Sequence, residues 1–225
     1  MTSFNIKILH GTSLKIIAML SMFVDHSAVI FVDSTKYPHV YEIMRTFGRL
    51  AFPIFCFLIV EGYYHTHNVK KYLGRLLLFA IISEIPFDLM VASVPGTHFG
   101  HQNVFFTLFL GLLTVCCIDA NRKNVYMNFI SIIISCLTAY FLKADYSYYG
   151  ILQILFFYYM KNMPLYRILG IGMLNMYMGQ PFGVVALLFI ELYNGKRGFN
   201  IKYLTYLFYP IHLLVLYSIK IYFFS

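Results

Sequence analysis

An all-α, polytopic transmembrane helix bundle of about nine helices is the fold class this sequence predicts, and three observations predict it. Of 225 residues, 60% are apolar and only 12% are charged, and the mean hydropathy is +0.72. A soluble domain of this size carries a far larger charged surface. The apolar stretches are continuous and long enough for a hydrocarbon core of about 30 Å, without the alternation a β-barrel needs. The net charge of +8, from 17 Lys and Arg against 9 Asp and Glu, falls largely in alternate loops, as cytoplasmic loops require.

The elements follow in order. Apolar runs cover 14–32, 46–63, 73–92, 103–119, 125–142, 147–160, 164–178, 181–193 and 203–224. A cytoplasmic N-terminus puts Lys7 and Lys15 inside, then Lys70, Lys71 and Arg75. The loop 93–102 has no Lys or Arg and falls outside. Arg122, Lys123, Lys161 and Arg167 return inside. The run 164–193 decides the count. As one helix it would leave Lys196, Arg197 and Lys202 outside, against the charge rule. Broken at MGQP, 178 to 181, it becomes two passes and brings them back inside. Nine passes result, with the C-terminus outside. Eight crossings plus a re-entrant pair is the alternative, since the sixth to eighth runs are short.

No linker or charge block divides residues 1–225, which read as a single domain. The basic excess comes with no nucleic-acid module and matches the membrane rule. Cys56, Cys116, Cys117 and Cys136 form no CxxC and lie in or at the edge of apolar runs, as reduced packing residues do. No small-x-small cleavage site follows the first run, so a retained helix is expected. The aromatic surface suffices for packing into a homo-oligomer.

Chemistry is expected where polar groups enter apolar runs. Asp25, Glu61, Glu84, Asp88 and Asp145 do so, and each costs a few kcal/mol at depth unless paired or hydrated. They are expected to face a shared interior. In LKIIAMLSMFVDH, 14 to 26, Lys15 and His26 lie eleven residues apart. They share one helix face and are separated by about 16 Å of rise. A histidine there suits a general base, while Asp25 points about 100° away. In GRLAFPIFCFLIVEGYYHTHN, 48 to 68, Arg49 opens the run, and Glu61 and His65 are i,i+4 neighbours. His65 and His67 have no partner at ligand spacing, so no metal is expected. In KKYLGR, 70 to 75, Lys70, Lys71 and Arg75 suit an anionic, phosphate-bearing ligand, and equally suit lipid head groups and the charge rule for cytoplasmic loops. QNVFFTL puts Asn103 on a helix face with Thr107. ADYSYYG places Asp145 in an aromatic outer turn, and YLFYPIHLL puts His212 just after a proline.

These segments, in this order, resemble the TraX-like family of integral membrane proteins over most of residues 14–217. The resemblance implies N-terminal acetylation of a pilin subunit, and a compact relative of the transmembrane acyltransferases. In that larger group an Arg-x10-His motif supplies the essential histidine, and the matching positions here are Lys15 and His26. Lys keeps the charge but loses the bidentate fork. An aromatic-or-Arg-x-x-Arg motif for coenzyme A phosphates matches Tyr72 and Arg75. The usual Ser-Gly-Phe is Glu61-Gly62-Tyr63 here, so that serine's role does not carry over.

The implied reaction takes acetyl-CoA from the cytoplasm, with its phosphates near Lys15, Lys71 and Arg75. His26 serves as base with Asp25 favouring the imidazolium, and Arg49 or Asn103 steadies developing charge. Glu61, Asn103, Asp145 and His212 line the cavity. The acceptor is an outer-side pilin or peptide amine, or a glycan hydroxyl, at the bacterial cytoplasmic membrane. Two other functions fit the same residues. One is a small proton-coupled transporter or exporter, with the buried acids and histidines as a relay. The other is a non-catalytic factor for pilus or peptide assembly.

Overall fold

The computed structural model describes residues 7–94 and 100–224, so the loop 93–102 lies partly outside the described residues. Every regular element is helical: α1 Gly11–Phe31, α2 Pro38–Gly48, α3 Ala51–His65, α4 Val69–Ala92, α5 Val104–Ala120, α6 Val125–Phe141, α7 Ser147–Tyr159, α8 Pro164–Tyr177, a 3-10 turn Pro181–Val185, α9 Ala186–Glu191 and α10 Lys202–Phe224. Helices α2 and α3 are two parts of one bent rod, and the 3-10 turn runs directly into α9. Counted so, the described residues form nine helical units, which match the nine apolar runs. The segment 164–193 is broken after Tyr177, where Gly179 takes a left-handed conformation (φ 67°) and Pro181 opens the next turn.

Local chemistry explains where the helices begin. Asn68, Asn103 and Asn124 cap α4, α5 and α6, their side chains accepting from the N–H groups of Lys71, Phe105 and Met127. Pro38 and Pro164 open α2 and α8, where a missing N–H costs nothing. Between α1 and α2, the Asp33 carboxylate accepts from the Thr35 hydroxyl and the N–H groups of Thr35 and Lys36. Those bonds hold it below the usual carboxylate range.

Among the described residues, three rods are long and apolar enough to cross a membrane: Gly11–Phe31, Pro38–His65 and Lys202–Phe223. Val104–Ala120, Val125–Phe141 and Pro181–Glu191 are shorter apolar helices. Six helices close a ring by pairwise packing, in the order α1, α10, α4, α5, α7, α3 and back to α1. The others pack outside it: α2 on α1, α6 on α5 and α7, α8 on α7, and α9 on α3. Leu14, Ile54, Leu112, Ile151, Ile154 and Leu213 are fully buried within the core. The outer faces of α6 and α8 expose Phe129, Ile133, Leu137, Leu169 and Met173, as lipid-facing surfaces do.

Contacts between chain-distant residues define two ends. At one, which we call the basic end, Leu9 bridges to Tyr193, and Gly11 N–H donates to the Lys196 carbonyl. Lys161 of the α7–α8 loop pairs with Glu61 of α3 at 3.2 Å, and Tyr158 donates to Asp119 at 2.9 Å. At the far end, Gln102 bridges to Ala144, and Lys220 donates to the Ser93 carbonyl at 2.5 Å.

Candidate functional site

A cavity of about 530 Å³ enters the ring from the basic end. That is within the 300–1,000 Å³ usual for ligand pockets. Its walls come from α1, α3, α4, α5, α10 and the loop 193–201. Lys15, Arg75, Arg197 and Lys202 bring four cationic side chains to it, along with Tyr72 and Tyr193. Further along the ring, Met22, Phe105, Leu108 and Tyr209 line it. Charge is thus gathered near the helix ends and apolar surface deeper in.

Each wall has a local origin. Lys15 sits one turn into α1, whose start is held when Thr12 donates its hydroxyl to the carbonyls of Arg197 and Phe199 (2.9 and 2.6 Å). The same bonds fold the loop 193–201 across the opening and bring Arg197 toward Lys15. Arg75 lies over the Tyr72 ring, 5.6 Å from its centre. Its buried Nε–H has no hydrogen-bond partner among the described residues. A buried orphan donor is costly, and a ligand oxygen would satisfy it. Gly62 is required beside it: a Cβ there would lie 2.7 Å from the Tyr72 hydroxyl. The two motifs EGY and YLGR therefore touch through a position where only glycine fits.

At the deep end, Tyr209 borders both the cavity and His26, the ring centres standing 6.1 Å apart in an edge-on contact. His26 is half-buried and does not itself line the cavity. Its Nδ1 lies 2.7 Å from Nε2 of His212, with the two rings nearly parallel. His212 is 4% exposed, and its Nδ1 is 2.7 Å from the Phe208 carbonyl. That carbonyl lies two residues before Pro210, which stands inside the continuous helix α10.

The structure sorts the residues expected from sequence into groups. Lys15, Tyr72, Arg75 and Glu61 line the cavity. Glu61 is engaged there by Lys161 and by His65 at 3.4 Å. His26 and His212 stand together behind Tyr209. Lys71 is exposed at the start of α4 and does not line the cavity. Asn103 is wholly buried as the cap of α5, donating to the Ala80 carbonyl at 2.7 Å and to the Glu84 carboxylate.

Asp25 faces away from the histidines and pairs with Arg45 of α2 at 2.6 Å, so the ion pair and not the imidazole takes up its charge. Arg49, at the α2–α3 bend, lies beside Asp25, Asp145 and Tyr146. Asp145 is at the far end, where its carbonyl accepts from Thr107 and its carboxylate from Tyr146 N–H at 3.0 Å. The cavity residues not expected from sequence include Arg197, Lys202, Tyr206 and Tyr209. KRGFNIK, 196 to 202, carried a signal in its basic residues flanked by glycines, which had served only to set topology. Tyr206 and Tyr209 stand one and two turns after Lys202, on the face of α10 that also carries His212.

The family profile described as TraX protein matches residues 10–220. The probable fimbrial assembly protein FimC, serogroup H1, of Dichelobacter nodosus is 33% identical over 239 residues, covering 93% of this chain and 95% of that protein. No solved structure matches. The profile spans α1 to α10 and so takes in both the cavity and the histidine pair. On that coverage and identity, this chain belongs to the TraX family.

Proposed function

We propose that this protein is a multi-pass acetyltransferase of the bacterial cytoplasmic membrane, with the basic end on the cytoplasmic side. One observation carries the reading: a single cavity runs from four cationic side chains to an aromatic residue in contact with a histidine. Acetyl-CoA, the donor substrate, has phosphates at one end and a thioester at the other. Lys15, Arg75, Arg197 and Lys202 would hold the phosphates, and the orphan Nε–H of Arg75 would donate to one of their oxygens. The apolar walls at Met22, Leu108 and Phe105 suit the pantetheine arm. The rise from Lys15 to His26 is about 16 Å along α1.

The chemistry asked of the chain is general-base catalysis. The acceptor's nitrogen or oxygen attacks the thioester carbonyl carbon, and the carbon–sulfur bond breaks with its electron pair going to sulfur. His26 takes the proton leaving the acceptor and returns it to sulfur, which departs as the thiol. Such a base contributes about 10²–10⁴-fold. Tyr209 has to turn aside or share the proton, since it stands against both the cavity and the His26 ring. The fimbrial assembly role named for the 33% identical relative supports a pilin or peptide amine as acceptor; a surface glycan hydroxyl would use the same base. A non-catalytic assembly role is the second reading, and the same relative's name favours it.

The test uses the protein in detergent with radiolabelled acetyl-CoA. The expected result is thioester hydrolysis or label transfer to surface material, and a melting temperature raised by coenzyme A. His26→Ala should abolish transfer and leave the thermal shift intact. No thermal shift and no transfer from folded protein would overturn the reading in favour of assembly.

A further inference from the structure

We infer that His212 is a positioning residue that fixes His26 in the tautomer with a proton on Nδ1 and a free lone pair on Nε2. The importance of that tautomer for catalysis rests on the reading of His26 as the base. The tautomer itself follows from the contacts alone.

The argument runs from the backbone outward. A carbonyl oxygen only accepts, so the Nδ1 of His212, 2.7 Å from the Phe208 carbonyl, has to carry its proton. A neutral imidazole holds one such proton, which leaves the Nε2 of His212 as an acceptor. A doubly protonated ring would instead place a charge in a residue 4% exposed, with which no carboxylate among the described residues pairs, and buried charges without partners are strongly disfavoured. The acceptor Nε2 lies 2.7 Å from the Nδ1 of His26. Two bare lone pairs repel at that distance, so the His26 Nδ1 carries a proton and donates it. The Nε2 of His26 is then the unprotonated nitrogen.

A lone histidine is free to choose either nitrogen. Here the choice is passed along Phe208, His212 and His26 in sequence. The carbonyl that starts the relay stands two residues before Pro210. Asp25, the neighbour on the chain, takes no part because Arg45 holds it. When the His26 Nε2 accepts a proton, the Nδ1–H becomes a stronger donor and the His212 Nε2 steadies it. A carboxylate does the same work in other base-orienter pairs.

The test reads the tautomer directly. Protein with ¹⁵N-labelled histidine, in lipid nanodiscs, is examined by solid-state NMR, and His26→Ala assigns the resonance pair. The expected result is a protonated Nδ1 and an unprotonated Nε2 at His26. His212→Leu should move the proton toward Nε2 and lower transfer about 10²–10⁴-fold, with no change in KM for acetyl-CoA. His212→Gln, whose side-chain oxygen is able to accept from Nδ1, should recover part of both. A wild-type His26 with its proton on Nε2 overturns the inference without any variant. So does a tautomer unmoved by His212→Leu in protein of unchanged melting temperature. A locked tautomer in a protein that transfers nothing supports the inference and overturns the acetyltransferase reading instead.

Discussion

Two polar regions share α1, one around Asp25 and one around Lys15 about three turns earlier, and they meet the cost of charge inside a bundle in opposite ways. On the Asp25 side, opposite charges are brought into contact. Arg45 pairs with Asp25 at 2.6 Å, and Arg49 lies beside Asp25 and Asp145. Packing is tight there: Ser21 donates to the Phe47 carbonyl at 2.7 Å, and a Cβ on Gly48 would fall 2.1 Å from the Asp25 carboxylate. On the Lys15 side, four cations line one opening, and the acid beside them, Glu61, is already engaged by Lys161 and His65. An arrangement of like charges gains nothing for the fold. The comparison teaches that the paired region holds α2 against α1, and that the opening where we propose an anionic ligand binds has no such pairing among its four cations.

Four changes, with a fifth as control, would break or sharpen that division. The largest effect is expected from Arg45→Met, which leaves the Asp25 carboxylate without its main partner. Removing one member of a fully buried pair costs about 3–5 kcal/mol, and this part-buried pair, with side chains 26% and 14% exposed, should cost somewhat less. It should appear as a marked fall in melting temperature, read with a thiol-reactive dye on the free cysteines because the chain has no Trp. A shift by coenzyme A should survive in the fraction still folded. Equal stability in the variant would show that the pair does not hold the fold. Gly48→Ala comes next, at about 1–3 kcal/mol of overpacking. Here the informative readout is coupling: combined with Arg45→Met, it should add much less than its own cost, since both disturb Asp25.

The smallest effect on stability is expected at the cavity. Arg197→Gln and Lys202→Gln should each weaken coenzyme A about tenfold, or roughly 1.4 kcal/mol, by titration calorimetry, with the melting temperature of the free protein unchanged or raised. Lys71→Gln, on an exposed side chain outside the cavity, is the control and should leave affinity within about twofold, as expected of exposed charges. If Lys71 mattered as much as Arg197, the opening would have to be drawn differently.

The helical plan was legible in the chain because length and hydropathy are local. Each apolar run became a helix. The break before Pro181 fell where MGQP placed it, while the starts of α4, α5 and α6 at the caps Asn68, Asn103 and Asn124 were seen only in the structure. Lys15 and Arg75 were legible as well, since they stand in motifs with a helical spacing. Arg197 and Lys202 were not. They reach the cavity because Thr12 and Leu9 anchor a loop from 185 or so residues away, and no local pattern encodes that approach. The partner of Asp25 was hidden for a similar reason. Arg45 lies across a turn, and its pairing depends on how α2 folds back along α1.

By itself, then, the sequence determined that this is a helical membrane protein, where its helices run, and that Lys15 and His26 share a face of α1. Those properties depend on the burial preference of each segment and on the 3.6-residue period. Only the tertiary structure decided that His26 is joined to His212 and Asp25 to Arg45. Adjacent residues on a helix point about 100° apart, so each met a different neighbour, α10 for the histidine and α2 for the acid. Which neighbour stood there was settled by the packing of the whole ring.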